Sequence, residues 1–155
     1  MKKLFFALAI TAFGAAAQAQ STSPVADPTD KKAPRFQFTE EVHQFGTLKE
    51  GDPAVYTFTF KNVGKKPLII TNASASCGCT VPEWGVKAAD GTIKPQVIAP
   101  GKKGKITVKY DTNGKSGPFT KQIWIDSNGV PSPGQQRYEI KIAGTVTPKA
   151  APSAN

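Results

Sequence analysis

"AVYTFTFKN", residues 54–62, places Tyr56, Phe58 and Phe60 on one side of the chain and Val55, Thr57 and Thr59 on the other. An apolar period of two predicts a strand with one buried and one wet face. Downstream, "KITVKYDT" (105–112) sets Ile106, Val108 and Tyr110 against Thr107 and Lys109, and "RYEIKIAG" (137–144) sets Tyr138, Ile140 and Ile142 against Glu139 and Lys141. A slip of one residue in such strands turns charge into the core, so their register is well specified. "FTKQIWID" (119–126) carries Phe119, Ile123 and Ile125 on one side and Trp124 on the other, and "PLIITNASA" (67–75) reads as a further strand. Upstream, "RFQFTEE" (35–41) and "HQFGTL" (43–48) form either a strand pair or one strand bent at Gly46.

The connections are turn-forming: "NVGKKP", "APGKKG", "TNGKSGP" and "SNGVPSPG" supply the Gly, Asn and Pro that tight turns use. No stretch combines helix-period apolar spacing with caps. About seven short strands separated by turns predict an all-β fold, an antiparallel two-sheet sandwich of immunoglobulin type. Its expected core is Phe58, Phe60, Ile106, Val108, Ile123, Ile140 and Ile142. Both cysteines lie in one loop region, so the inter-sheet disulfide of antibody domains is not available.

The flanks are of another kind. Residues 1–19 join a basic start (Lys2, Lys3) to a short apolar run and an Ala17-Gln18-Ala19 end, the pattern of a secretory signal peptide too short to span a bilayer. Cleavage after Ala19 removes two lysines and takes the formal charge from +9 to +7. No other apolar run is long enough for a transmembrane segment, which predicts a periplasmic or secreted protein. Residues 20–34 and 148–155 are polar, small and proline-punctuated, and read as a disordered linker and tail. Between them, residues 35–147 form one domain of roughly 110 residues, an ordinary size for a single core.

The basic residues are scattered, with only Arg35 and Arg137 as arginines, and read as a solvated surface with turn lysines. Nucleic acid is set aside as a partner, since its binders cluster basic residues with exposed aromatics. An enzyme is not expected either. The chain holds one histidine, His43, in no motif context that pairs it with a nucleophile. Its carboxylates form no paired motif, and "PGKKGK" lacks the spacing of a phosphate loop.

The two cysteines, Cys77 and Cys79 in "SASCGCTVPEW" (74–84), are the chemical feature. Residues i and i+2 of a strand lie about 7 Å apart, whereas a disulfide needs Cβ atoms about 3.8 Å apart. A bond would need a sharp bend, for which Gly78 is the expected hinge. Three readings stay open. The pair is structural, closed as a tight disulfide or buried. It grips a soft metal, Cu(I) or part of a zinc site, with His43 as a possible third ligand. Or it is redox-active, although it is not a C-x-x-C pair.

Several motifs in order resemble a large family of exported bacterial proteins catalogued as a domain of unknown function. They are F-x-N-x-G-x-x-P-L-x-I from Phe60, S-C-G-C-T-x-P-x-W from Ser76, I-A-P-G from Ile98, and Y-D-T-x-G-x-x-G-P-F from Tyr110. That family is similar to immunoglobulin-like domains of the hydin and abnormal-spindle type, and more remotely to major-sperm-protein domains. The resemblance implies an exported interaction module and assigns no reaction or ligand. One stretch departs from it: residues 85–97 lengthen the path from Trp84 to Ile98, with room for a small hairpin at Asp90-Gly91. Trp84 reads as a cap on the core or as an exposed anchor for binding. The expected function is therefore a non-catalytic immunoglobulin-like binding or structural module of the cell envelope, with a protein or envelope partner. The alternative is a periplasmic copper-binding or redox protein using Cys77 and Cys79.

Overall fold

The structure, a computed structural model of the chain, describes residues 26–149. Its strands, in chain order, are β1 (Phe36–Phe38), β2 (Val42–Lys49), β3 (Ala54–Asn62), β4 (Leu68–Ala75), β5 (Thr80–Glu83), β6 (Val86–Lys87), β7 (Ile93–Lys94), β8 (Gln96–Ile98), β9 (Lys103–Tyr110), β10 (Gly117–Ser127) and β11 (Tyr138–Thr147). Among the described residues no helix forms that is long and apolar enough to cross a membrane. One sheet has the order β1-β3-β9-β5, the other β2-β11-β10-β4-β8, and β6 and β7 make a separate hairpin.

The alternation in residues 54–62 becomes β3 with the expected facing. Phe58 and Phe60 are buried, Tyr56 is half-buried, and Val55 is half-exposed. Phe58 lies opposite Ile106 and Tyr56 opposite Val108 on β9. In the other sheet Ile123 of β10 lies opposite Ile140 of β11. All seven residues expected in the core are at most 1% exposed. Each such side chain contributes about 1.5–3 kcal/mol on burial, so the two inner faces hold the sheets together as an immunoglobulin-like sandwich.

The N-terminal strands differ from a simple pair. Only residues 39–41 separate β1 from β2, yet the two strands lie in different sheets. The chain keeps its direction as it changes sheets, so β2 runs parallel to β11, a departure from the all-antiparallel expectation. At Gly46 the register slips by one: Gln44 faces Ala143, whereas Thr47 faces Thr145. Gly46 takes φ +69°, the conformation a bulge demands and glycine supplies cheaply.

Asn62 ends β3 as a fully buried polar hub. Its Nδ2 donates to the carbonyls of Lys66 and Ile98, both at 2.9 Å, and its Oδ1 accepts from Gly64 N at 3.0 Å and Arg35 N at 3.4 Å. The nearby Gly64 is needed for space: a Cβ there would sit 2.1 Å from the Ala33 carbonyl oxygen. This contact changes the reading of residues 20–34 as a linker. Of its described part, 26–34, the end nearest the domain is held to it, with Ala33 at 1% exposure and Asp30 paired to Lys66, while residues such as Asp27 and Lys31 stay exposed. Local turns and one small apolar contact do what composition alone did not suggest. The expected signal peptide (1–19), residues 20–25 and residues 150–155 of the expected tail lie outside the described residues.

All three tyrosines are held above the usual phenol range. Burial, then a hydrogen bond donated to Glu41, raises Tyr138; a bond to Glu40 raises Tyr56; burial raises Tyr110. Below the ordinary tyrosine value of 10.0 both folded and unfolded chains are protonated. Above it the unfolded chain ionises first, so stability falls as pH rises. Thermal melts should drop steadily above that pH, and Tyr138→Phe should flatten the drop; an unchanged slope would show that Tyr138 does not cause it.

Candidate functional site

β4 belongs to the five-stranded sheet and β5 to the four-stranded one, so the chain must cross the sandwich between them. Its last hold on the first side is Ser76, whose N–H donates to Gln122 O at 2.9 Å and whose Oγ accepts from Gln122 N at 3.2 Å. Its first hold on the other is Cys79, whose carbonyl accepts from Asp111 N at 2.9 Å. The Cys77–Cys79 disulfide occupies this crossing, with S–S 2.01 Å and Cα atoms 5.3 Å apart, well short of the extended spacing. Thr80 N donates to Cys77 O at 3.2 Å, and the buried Thr80 brings its Oγ1 within 3.4 Å of Cys77 Sγ.

Gly78 sits in the bend as expected, inside the turn closed by Thr80 N and Cys77 O, but supplies no special backbone freedom there. It lies outside the left-handed region, and an added Cβ there would meet nothing within 4 Å. The bend comes from the turn and the bridge. Closing so short a loop removes little unfolded-state entropy, on the order of 1–2 kcal/mol. Reduction, or Cys77→Ser with Cys79→Ser, should therefore lower stability by about that amount in urea melts and leave the fold standing. Loss of the folded baseline on reduction would contradict this.

His43 is elsewhere. Its ring stacks on Tyr56 with centroids 3.5 Å apart, and its Nδ1 lies 3.4 Å from the Glu40 carboxylate. Tyr56 OH donates to Glu40 Oε2 at 2.7 Å, and this bond, with a smaller one from His43, holds Glu40 below the usual carboxylate range against some desolvation. The candidates Cys77, Cys79 and His43 do not form one ligand group. Among the described residues no three of His, Cys, Asp or Glu converge in a metal-holding arrangement. In the disulfide neither sulfur is the thiolate that Cu(I) or Zn would require.

After the crossing, β5 pairs with β9 only along Thr107–Tyr110. The chain then leaves the sheet at Trp84 and Gly85, and the long stretch 85–97 forms the small hairpin β6–β7 around Asp90-Gly91. Trp84 is half-buried and packs against the core. Its carbonyl accepts from Gln96 Nε2 at 2.8 Å. The same amide meets the uncovered part of β9: Nε2 donates to Lys105 O at 3.1 Å, and Oε1 accepts from Lys105 N at 3.3 Å. Beside it lies an open groove of about 550 Å³, lined by Thr59, Gly85, Val86, Gln96, Lys103, Gly104 and Lys105.

Lysines that are scattered in the sequence gather on the outer face here. Lys61 of β3 lies opposite Lys103 of β9, and Lys105 lies opposite Thr59. Lys109 pairs with Glu83, but among the described residues no carboxylate pairs with Lys61, Lys103 or Lys105. The signal was present in the period of two, which puts Lys103, Lys105 and Lys109 on one side of β9. The cross-strand register that adds Lys61 was not.

Solved structures resemble this chain in fold. A protein of unknown function from Porphyromonas gingivalis W83 superposes with TM-score 0.55 and 15% identity over 82% of this chain and 50% of its own. This chain thus spans half of that protein's length. The ASH/PapD-like domain 7 of human CEP192 superposes with TM-score 0.53 and 11% identity, over 84% of this chain and 98% of that domain. The VesB protease of Vibrio cholerae is similar over 72% of this chain but only 32% of its own, with TM-score 0.51 and 13% identity. At these identities the likeness concerns the immunoglobulin-like fold alone. No curated protein matches the chain. Residues 36–146 match the family model described as "Protein of unknown function (DUF1573)", and the chain belongs to that family.

Proposed function

We propose that this chain is an exported, non-catalytic immunoglobulin-like module that binds a protein partner in the cell envelope. The observation that carries the reading is the open groove where β5 stops short and leaves one edge of β9, the side away from β3, without a paired strand. Uncovered strand edges are sites at which another chain can bind. Export is supported by the leader-like residues 1–19. The single histidine contacts Glu40, Phe45 and Tyr56, an arrangement that supplies no nucleophile–base pair.

The test is made in the producing cells. Osmotic-shock fractionation with intact-mass measurement should find a mature chain starting at Gln20 outside the cytoplasm. A photo-crosslinker placed at Val55, Val81 or Val86 should give a discrete protein adduct from at least one position. A cytoplasmic chain retaining Met1, or no adduct from any position, would overturn the proposal. The copper or redox alternative is separated by metal and thiol analysis of the same material, prepared without chelator. Stoichiometric copper lost in the double serine variant would favour the alternative.

A further inference from the structure

We infer that the uncovered edge of β9 at Lys103–Lys105 accepts an extended, acidic peptide segment of a partner protein as an added strand. The inference rests on the binding-module reading above and names its site and the chemistry of its partner.

Backbone direction comes first. Along a strand, successive peptide groups point to opposite edges. Asp111 N donates to Cys79 O, so the odd-numbered residues of β9 and its extension face the β5 side. Lys105 does the same, since its N–H and C=O both meet Gln96. By this alternation Lys103 aims its own N–H and C=O into the groove.

The Gln96 side chain shows what this edge binds. A primary amide carries the same donor and acceptor as a peptide group. Here it gives one of each to a single residue of β9, as a neighbouring strand would. The site is already engaged in strand-like pairing, through a side chain that can rotate away. An incoming peptide replaces one amide with a run of them.

Charge sets the partner's chemistry. Lys61 and Lys103 face each other directly across the ladder, a like-charge pairing that disfavours itself. Lys105 adds a third cation, which among the described residues has no carboxylate partner. Carboxylates on alternate residues of an added strand would relieve all three. The intervening residues would meet the apolar side of the groove, where Val86 is 55% exposed. A lipid headgroup answers the lysines but leaves the backbone edge unpaired, which favours a peptide.

The experiment uses the mature chain and a fluorescein-labelled alternating Glu-Val peptide, followed by anisotropy and amide hydrogen exchange. The peptide should bind and slow exchange at Lys103 and Lys105. Lys103→Glu with Lys105→Glu should weaken binding by at least about tenfold. Gln96→Ala, which removes the competing amide, should strengthen it by about fivefold. A block peptide of the same composition, with its glutamates in one run, should bind at least about tenfold more weakly. Equal binding of the two peptides, or unchanged exchange at Lys103 and Lys105, would overturn the strand-addition site. Binding only to phosphatidylglycerol vesicles would do so as well, in favour of a lipid surface. Failure here with crosslinked adducts still formed in cells rejects this site alone; failure of both rejects the binding module.

Discussion

Asn62→Leu should lower folding stability by about 4 kcal/mol, a large share of the total for a domain of this size. The loss follows from the number of polar groups left stranded. Leucine keeps the branched heavy-atom outline of asparagine, though it is bulkier, but cannot answer the carbonyls of Lys66 and Ile98 or the amide of Gly64. Water cannot replace it where the side chain is 0% exposed. Each buried polar group left without a partner costs about 1–3 kcal/mol. Asn62→Asp separates the donor role from the acceptor role. Its carboxylate keeps the bond from Gly64 but turns negative oxygen toward two carbonyls, so the folded state resists ionisation. The folded-state pKa of that variant should lie above its unfolded value. Its stability should then fall as pH rises from the ordinary aspartate range to the raised value, whereas the leucine variant shows no such slope. Urea melts at several pH values test both. A loss below about 1 kcal/mol for Asn62→Leu would show that the hub is not structural.

Phe58→Ala should cost a similar amount, about 3–5 kcal/mol, for a different reason. The ring is fully buried at the centre of β3, packed edge-on against Tyr56 and Phe38 and set opposite Ile106. Two hydrogen-bonded sheets fix the walls around it, so the cavity cannot close by collapse. On the same strand, Val55→Ala removes a side chain that is 50% exposed and should cost under about 1 kcal/mol. The contrast between these two variants in one denaturation series tests the facing of the strand. Equal losses would mean that the register is wrong.

The long strands were legible because their patterning is strong. Residues 54–62 coincide with β3, and the seven expected core residues are all buried. The short strands β5 and β8 were not. β5 has four residues including Pro82, and β8 has three, too few for alternation to register. Asn62 was visible only as a motif letter, because a buried asparagine looks like any turn asparagine until its partners, one of them 36 residues away, are known. The same limit applied to the candidate site. The sequence places Cys77 and Cys79 close enough to consider a bond, yet no local signal states that the chain changes sheets there. Lys61 and Lys103 meet only through pairing across the ladder. Long-range register is the information that local patterning lacks.

The parallel pairing of β2 with β11 has a temporal consequence. β11 lies between β2 and β10, so the five-stranded sheet has a gap at its interior until residues 138–147 are available. The bond from Thr147 Oγ1 to Leu48 O spans 99 positions of sequence. Contacts that distant form slowly and late. A ribosome-bound chain can pair β1, β3, β9 and β5, but it cannot complete the five-stranded sheet or close the sandwich until its final strand emerges and zips the first one in place.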